Sequence, residues 1–309
     1  MKIKIEVLTP VHVGSGENIS PSEYYVDVNS GTWNRINLSA LFADPEFNAY
    51  RESFISEAPR QRYIGSLIDK PSLLKKHILY SIPVSHEADS YLRSNKTVVK
   101  SFVKSAGRVF IPGSSVKGSL LTALIWHVLK TNFEHQKLEV EKIIWERNHN
   151  KLMDLALSMI VGNSRQGRFS SWLKVKDTEV YKPEGVLQVS LARLKGARRG
   201  GELPILYETL REGKLFETDL SVTNSRFTVD EMLNIAHNFY LKVAEKDGAI
   251  IDKNPYLLRI GQGSTAFSTS LLILAQDVGI RNYPARTPRT RKRIDGDLPM
   301  GFVRLTKVR

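Results

Sequence analysis

The chain has 309 residues, 41% hydrophobic and 25% charged, the balance of a water-soluble globular fold long enough to bury a sizeable core. Lys and Arg number 45 against 32 Asp and Glu, a formal net charge of +13, which points to a polyanionic partner, nucleic acid or an acidic membrane surface. With no cysteine, disulfides, thiolate zinc sites and a cysteine nucleophile are excluded, in keeping with an intracellular protein.

The N-terminus, MKIKIEVLTP, alternates apolar Ile3, Ile5 and Val7 with polar residues. That period predicts a strand rather than a signal peptide, and no window approaches the ~18 apolar residues of a membrane span. PVHVGSGEN follows as a glycine-rich turn, and EYYVDV and TWNRINL read as a hairpin around NSG. Residues 39–104 are polar and irregular with weak helical segments, and we read them as an insertion on a core fold. VFIPGSSVKGSL then leads into a helix with apolar stripes at Val116, Leu120, Leu124, Val128 and at Leu121, Ile125, Leu129. Ser114 or Ser115 is its expected N-cap.

A second helical insertion is expected over 132–162. RFSSWLKVKDTEV and VLQVSLARL are strand-like, and LPILYETLREGKLFETDLSV reads as two strands around REGK. TVDEMLNIAHNFYLKVAEKDG is a helix with a Thr228–Glu231 capping box and a Gly248 stop. YLLRIGQGSTAF is a strand and a glycine turn, STSLLILAQD a short helix and MGFVRLTKV a final strand. Strand pairs between helices predict an α+β fold with one or two ferredoxin-like βαββαβ cores, folded as one elaborated unit over 1–309.

The segment Gly113 to Ser119 invites comparison with a phosphate-binding loop, but Lys117 precedes Gly118 where that motif needs Gly-Lys-Ser/Thr. Nucleotide hydrolysis is rejected on that spacing. An anion site remains, because a helix start carries unpaired N–H groups and about half a positive charge, to which Lys117 adds. The alternative is a solvated lysine beside an ordinary serine cap. His12 lies beside one glycine turn, and Arg259 and Gln262 lie at another; all three could be purely structural.

Three basic clusters sit in loop-like sequence. NSRQGRFSSW carries Arg165 and Arg168, ARLKGARRGGE carries Arg198 and Arg199, and YPARTPRTRKRID carries Arg286, Arg289 and Arg291. Arginine, threonine hydroxyls and free backbone N–H groups suit a sugar-phosphate backbone. A merely soluble basic surface is the plainer reading.

LTPVHVGSGE, FIPGSSVKGSL, LRIGQGSTAF and PRTRKRI…LPMGFVRL, in that order, resemble the RAMP superfamily of CRISPR systems. The terminal Arg/Thr-rich stretch before PMGFVRL resembles the guide-RNA 3′-capping subunits of type III-A Csm effector complexes rather than backbone subunits. The resemblance implies a ferredoxin-like palm akin to RNA-recognition modules. It implies binding of the 3′ side of CRISPR RNA beside an adjacent backbone subunit and other subunits, support of RNA maturation and assembly, recruited nucleases and a cytoplasmic location. By resemblance, Gly113, Ser114, Ser115, Lys117 and Gly118 form a backbone-contact turn, and Gly261–Gln262–Gly263 the C-terminal glycine loop.

The cleaving backbone subunits of such complexes carry an Ile-Gly-x-x-Asp-like segment. The corresponding NISPSEYYVDV has Glu23 and Asp27 but not that motif, so no catalytic residue, metal or cofactor is assigned. The alternative is a RAMP-type endoribonuclease acting on CRISPR RNA. It would use His12 and Lys117 for acid–base and phosphate roles, or carboxylates such as Asp295 and Asp297 with a metal.

Overall fold

The computed structural model describes residues 1–146, 148–161, 172–195, 203–223, 226–249, 251, 254, 256–263, 270–280 and 291–308. Its first sheet grows from the N-terminal alternation. Strand β1 (Lys2–Val7) buries Ile3, Ile5 and Val7 on one face, and helix α1 (Gly113–Thr131) crosses back over that face. β2 (Leu173–Val175), β3 (Leu215–Val222), α2 (Val229–Asp247) and β4 (Phe302–Lys307) complete a βαββαβ order.

The strands lie as β4-β1-β3-β2, each pair antiparallel, with Leu257–Arg259 added beside β4. That is the ferredoxin-like arrangement and the α+β class expected. Helix α1 is apolar beyond its two predicted stripes: Ala123 and Trp126 are buried as well. A helix so covered is enclosed, and here the sheet, α2 and the helices His149–Val161 and Ser270–Asp277 surround it. Helix α2 starts with both halves of the Thr228–Glu231 capping box and stops at Gly248, φ 66°.

A second sheet is built from segments between the palm elements. Its order is Leu298–Pro299, Arg291–Ile294, Leu187–Lys195, Leu203–Leu210, Val99–Phe102 and Gly14–Ile19. Among the described residues only the first sheet has the βαββαβ order. The strands flanking REGK do not pair with each other: Leu203–Leu210 belongs to the second sheet and β3 to the first. The turn therefore carries the chain between sheets, pinned to the end of β1 by Val7 N–H to Lys214 O, 3.0 Å, and Gly213 N–H to Val7 O, 2.8 Å. One buried cluster runs through both sheets.

The stretch 39–104 is more ordered than its polar sequence suggests. Ile78–Pro83 joins the Tyr24–Asp27 and Thr32–Ile36 hairpin in a three-stranded sheet, and Val99–Phe102 enters the second sheet. Short helices between Leu38 and Lys76 close a separate small core around Leu41, Phe47, Phe54 and Leu74. Beyond α1, helices Phe133–Trp145 and His149–Val161 pack on each other.

Candidate nucleic-acid interface

The start of α1 differs from the serine-capped helix expected. The N-cap is Pro112, and neither Ser114 nor Ser115 caps; both lie within the first turn. The chain comes too close to β2 for any side chain at Gly113, where a Cβ would stand 2.2 Å from the Val175 carbonyl oxygen. The same proximity lets the Asp177 carboxylate accept the Gly113 N–H at 2.8 Å. Part of the helix's positive end is thus already met by a carboxylate. Ser114, Lys117 and Gly118 share the outward face at i, i+3 and i+4 spacing, with Ser114 and Gly118 exposed and Lys117 half-buried. Around Gly118 a Cβ would meet nothing within 4 Å.

Segments separated by some 250 residues in sequence meet next to this helix. The Gln262 N–H donates to the His12 carbonyl at 2.7 Å. Gly261, φ 70°, brings its backbone so near that a Cβ would sit 2.2 Å from that same oxygen. One turn further into α1, Ser119 Oγ donates to the Arg259 carbonyl at 2.6 Å, and Tyr240 Oη of α2 donates to the Ser119 carbonyl at 3.1 Å. The early and late glycine turns thus meet directly, and a buried hydrogen bond ties the strand before the late turn to α1.

His12 is buried, its ring edge-on to Tyr207 at 4.7 Å and to Phe102 at 6.0 Å. Nδ1 lies 2.7 Å from the Glu208 carbonyl oxygen. A carbonyl only accepts, so Nδ1 carries the proton and Nε2 holds a lone pair. Burial pushes the imidazole down to about 4, against the opposing pull of Glu208, with Lys292 and Lys104 lowering it further. Next to it the strand Gly14–Ile19 bulges: Gly14 pairs with Phe102 and Asn18 with Lys100, so residues 15–17 have no register partner. The bulge walls a cavity of about 350 Å³ that His12, Ser101 and Gln262 also line.

Arg259 is a correction. Its guanidinium is 1% exposed, bound to Asp247 at 3.0 Å and donating Nε–H to the Met300 carbonyl at 2.8 Å. It stacks over Phe302 at 4.8 Å and is not available to a ligand. Asp247 also faces Arg293 at 4.0 Å. Sequence reasoning missed Glu208, 0% exposed, whose carboxylate accepts Tyr80 Oη–H at 2.6 Å, the Phe102 N–H at 2.8 Å and Lys104 Nζ. No motif marks it; only the meeting of Ile78–Pro83, Val99–Phe102 and Leu203–Leu210 creates its site.

Arg165, Arg168, Arg198, Arg199, Arg286 and Arg289 lie outside the described residues, as does the side chain of Arg291. The Arg291 backbone pairs with Lys195. Asp295 and Asp297 sit in the turn between Arg291–Ile294 and Leu298–Pro299. Asp295 accepts Ser85 Oγ–H at 2.5 Å and the Leu191 N–H at 3.0 Å, while Asp297 faces Arg293 at 3.8 Å. Among the described residues, no three His, Asp or Glu side chains are placed to share a metal ion.

The face of the first sheet turned away from α1 and α2 carries Lys2, Lys4 and Glu6 of β1, Glu217 and Asp219 of β3, and Arg304 and Thr306 of β4. Opposite charges are cross-strand neighbours, as in Lys2–Glu217 at 3.2 Å and Arg304–Glu6 at 3.0 Å; Lys176, just past β2, pairs with Asp219 at 2.9 Å. None of these positions is aromatic.

A family model described as the RAMP superfamily matches residues 4–274. A CRISPR system protein, Csm5, of Methanocaldococcus jannaschii is 25% identical over 279 residues, covering 79% of this chain. The match spans 62% of that relative's length. A chain of a cryo-EM Csm–crRNA–target RNA ternary complex from a type III-A CRISPR–Cas system superposes with a TM-score of 0.71 at 19% identity, over 99% of this chain and 100% of that one. The crystal structure of T. onnurineus Csm5 gives 0.71 at 18% identity, over 97% and 99%.

Proposed function

The chain belongs to the RAMP superfamily, and from that premise we propose that it is a non-catalytic RNA-binding subunit of a type III-A CRISPR ribonucleoprotein. In this reading it holds the 3′ side of CRISPR RNA through phosphate contacts beside an adjacent backbone subunit in the cytoplasm. It thereby supports maturation of that RNA, by recruited nucleases, and assembly of the complex in antiviral defence. The relative named Csm5 and the similar chain within a Csm–crRNA–target RNA complex support the assignment.

The observation that carries it is the direct meeting of the two glycine turns, where Gln262 N–H reaches the His12 carbonyl, with the strand before the late turn tied to α1. Gly261 and Gly263 let the late turn pack closely, Gly16 leaves the early turn open, and Ser114, Lys117 and Gly118 add a hydroxyl, a cation and an open approach. The arrangement suits a phosphodiester backbone. RNA-recognition sheets stack bases on exposed aromatics, whereas the outward positions named above are polar or charged and include no aromatic, which favours the edge route over the sheet face. Burial leaves His12 unprotonated at neutral pH and makes it a weak base, so it is not poised to donate a proton to a leaving group.

The test is a salt series of RNA titrations with two unrelated single strands of equal length. Affinity is expected to fall linearly in log–log form and to depend far more on salt than on overall sequence. The purified protein is expected to leave CRISPR RNA intact with or without divalent metal. Affinity indifferent to salt, or cleavage lost in His12→Ala, overturns the reading.

A further inference from the structure

We infer that the cavity beneath the Gly14–Asn18 bulge receives one unpaired base of the bound single strand, a base-recognising subsite that rests on the RNA-binding reading above. The lining groups are mostly neutral hydrogen-bonding groups rather than cations. His12 supplies the lone pair of Nε2, beside Gly14, where a Cβ would lie 3.1 Å from that nitrogen. Asn18 Oδ1 is already engaged by Lys100 Nζ at 2.7 Å, so its amide N–H groups remain as donors. Gln262 adds an exposed amide from the late turn, and its backbone is fixed by the His12 carbonyl independently of its side chain.

A lone-pair acceptor next to amide donors is complementary to the mixed donor and acceptor edge of a base; a phosphate offers acceptors only. Glu17 and Lys100, one charge of each sign, complete the lining, so the cavity carries no net positive charge to draw a phosphate in. The volume, about 350 Å³, falls in the range of sites for small planar ligands. Gly16, φ 88° with no atom within 4 Å of a Cβ, keeps the mouth of the bulge clear. The phosphates then lie along α1 and the base turns inward, so one strand uses both features at once.

The experiment compares binding of short homopolymeric RNAs with an abasic ribose-phosphate chain of the same length, which removes any dependence on register. Wild type is set against Asn18→Ala/Gln262→Ala and against Gln262→Ala alone, with thermal melting of each. Both side chains are exposed, so melting is expected to be unchanged. The preference for base-bearing over abasic strands is expected to fall about tenfold in the double variant, with the salt slope preserved. An equal preference in wild type and both variants overturns the subsite while leaving the RNA reading intact. Equal loss for base-bearing and abasic strands also overturns it, because the side chains would then be touching backbone. No salt-dependent RNA binding by wild type overturns the RNA reading itself and the subsite with it.

Discussion

Two glycines five residues apart in α1 answer to opposite constraints. Gly113 is required by the fold, since a Cβ would press into the Val175 carbonyl at 2.2 Å; Gly113→Ala is expected to cost on the order of 1–3 kcal/mol or more in denaturant unfolding. Gly118 is not required by the fold, and Gly118→Ala is expected to raise stability by roughly 0.5–1 kcal/mol through lower chain entropy. If a phosphate approaches there, the same methyl weakens RNA binding, so stability and affinity move in opposite directions. Lys117→Ala should lower RNA affinity by about 1–3 kcal/mol and the salt slope by about one phosphate. Lys117→Glu should do worse, and unchanged affinity in that variant would sink the phosphate reading of this turn.

His12 makes a pH signature at the same scale. Its imidazole falls from 6.5 to about 4 on folding, so the unfolded chain takes up a proton that the native chain refuses. Stability is therefore full above pH 6.5 and is lost progressively as pH falls toward about 4. The loss is on the order of 3 kcal/mol. Burial of His127 and His237 acts in the same direction. Urea unfolding of wild type and His12→Gln across this window isolates the His12 share: the variant's stability should fall less. Parallel curves would mean that His12 titrates alike in both states.

Among the elements, the C-terminal end of α2 has the heaviest structural duty. Asp247, its last residue, is 1% exposed and binds Arg259 of the added edge strand while facing Arg293 of the second sheet. A carboxylate at a helix C-terminus is unfavourable by itself, and two guanidinium groups reverse that. Asp247→Asn leaves the buried Arg259 cation with a neutral partner and is expected to cost about 3–5 kcal/mol by denaturant unfolding. A cost below about 1 kcal/mol, the range of an exposed pair, would show that the cluster is solvated in solution. Arg259 therefore belongs to the joint between the sheets, not to the proposed RNA surface.

At the scale of the whole molecule, the net charge of +13 does not by itself say where the proposed RNA strand would run. The first sheet's outward face holds Lys2, Lys4 and Arg304, yet each has a carboxylate neighbour. Lys4→Ala and Arg304→Ala are expected to leave RNA affinity and its salt slope unchanged. A loss equal to that of Lys117→Ala would place the strand across the sheet, as in modules that stack bases there.

Local pattern alone determined much of this architecture. Period-two burial in β1, the capping box and Gly248 stop of α2, and the glycine turns all follow from short-range sterics and hydrogen bonding that adjacent residues specify. The order of the glycine motifs likewise carried the resemblance to the RAMP superfamily. What the tertiary structure decided lies in contacts between distant segments. Nothing beside Gly113 in sequence announces Asp177 as the group that meets its N–H, and nothing near REGK says that its two strands enter different sheets. Arg259 reads as a basic residue at a loop and is a buried ion-pair partner because α2 ends against it. His12 reads as a base beside a flexible turn, and burial against Tyr207 and Phe102 holds it neutral and makes it a weak base. Charge and acidity depend on desolvation, and desolvation is set only once the remote strands have closed over the side chain.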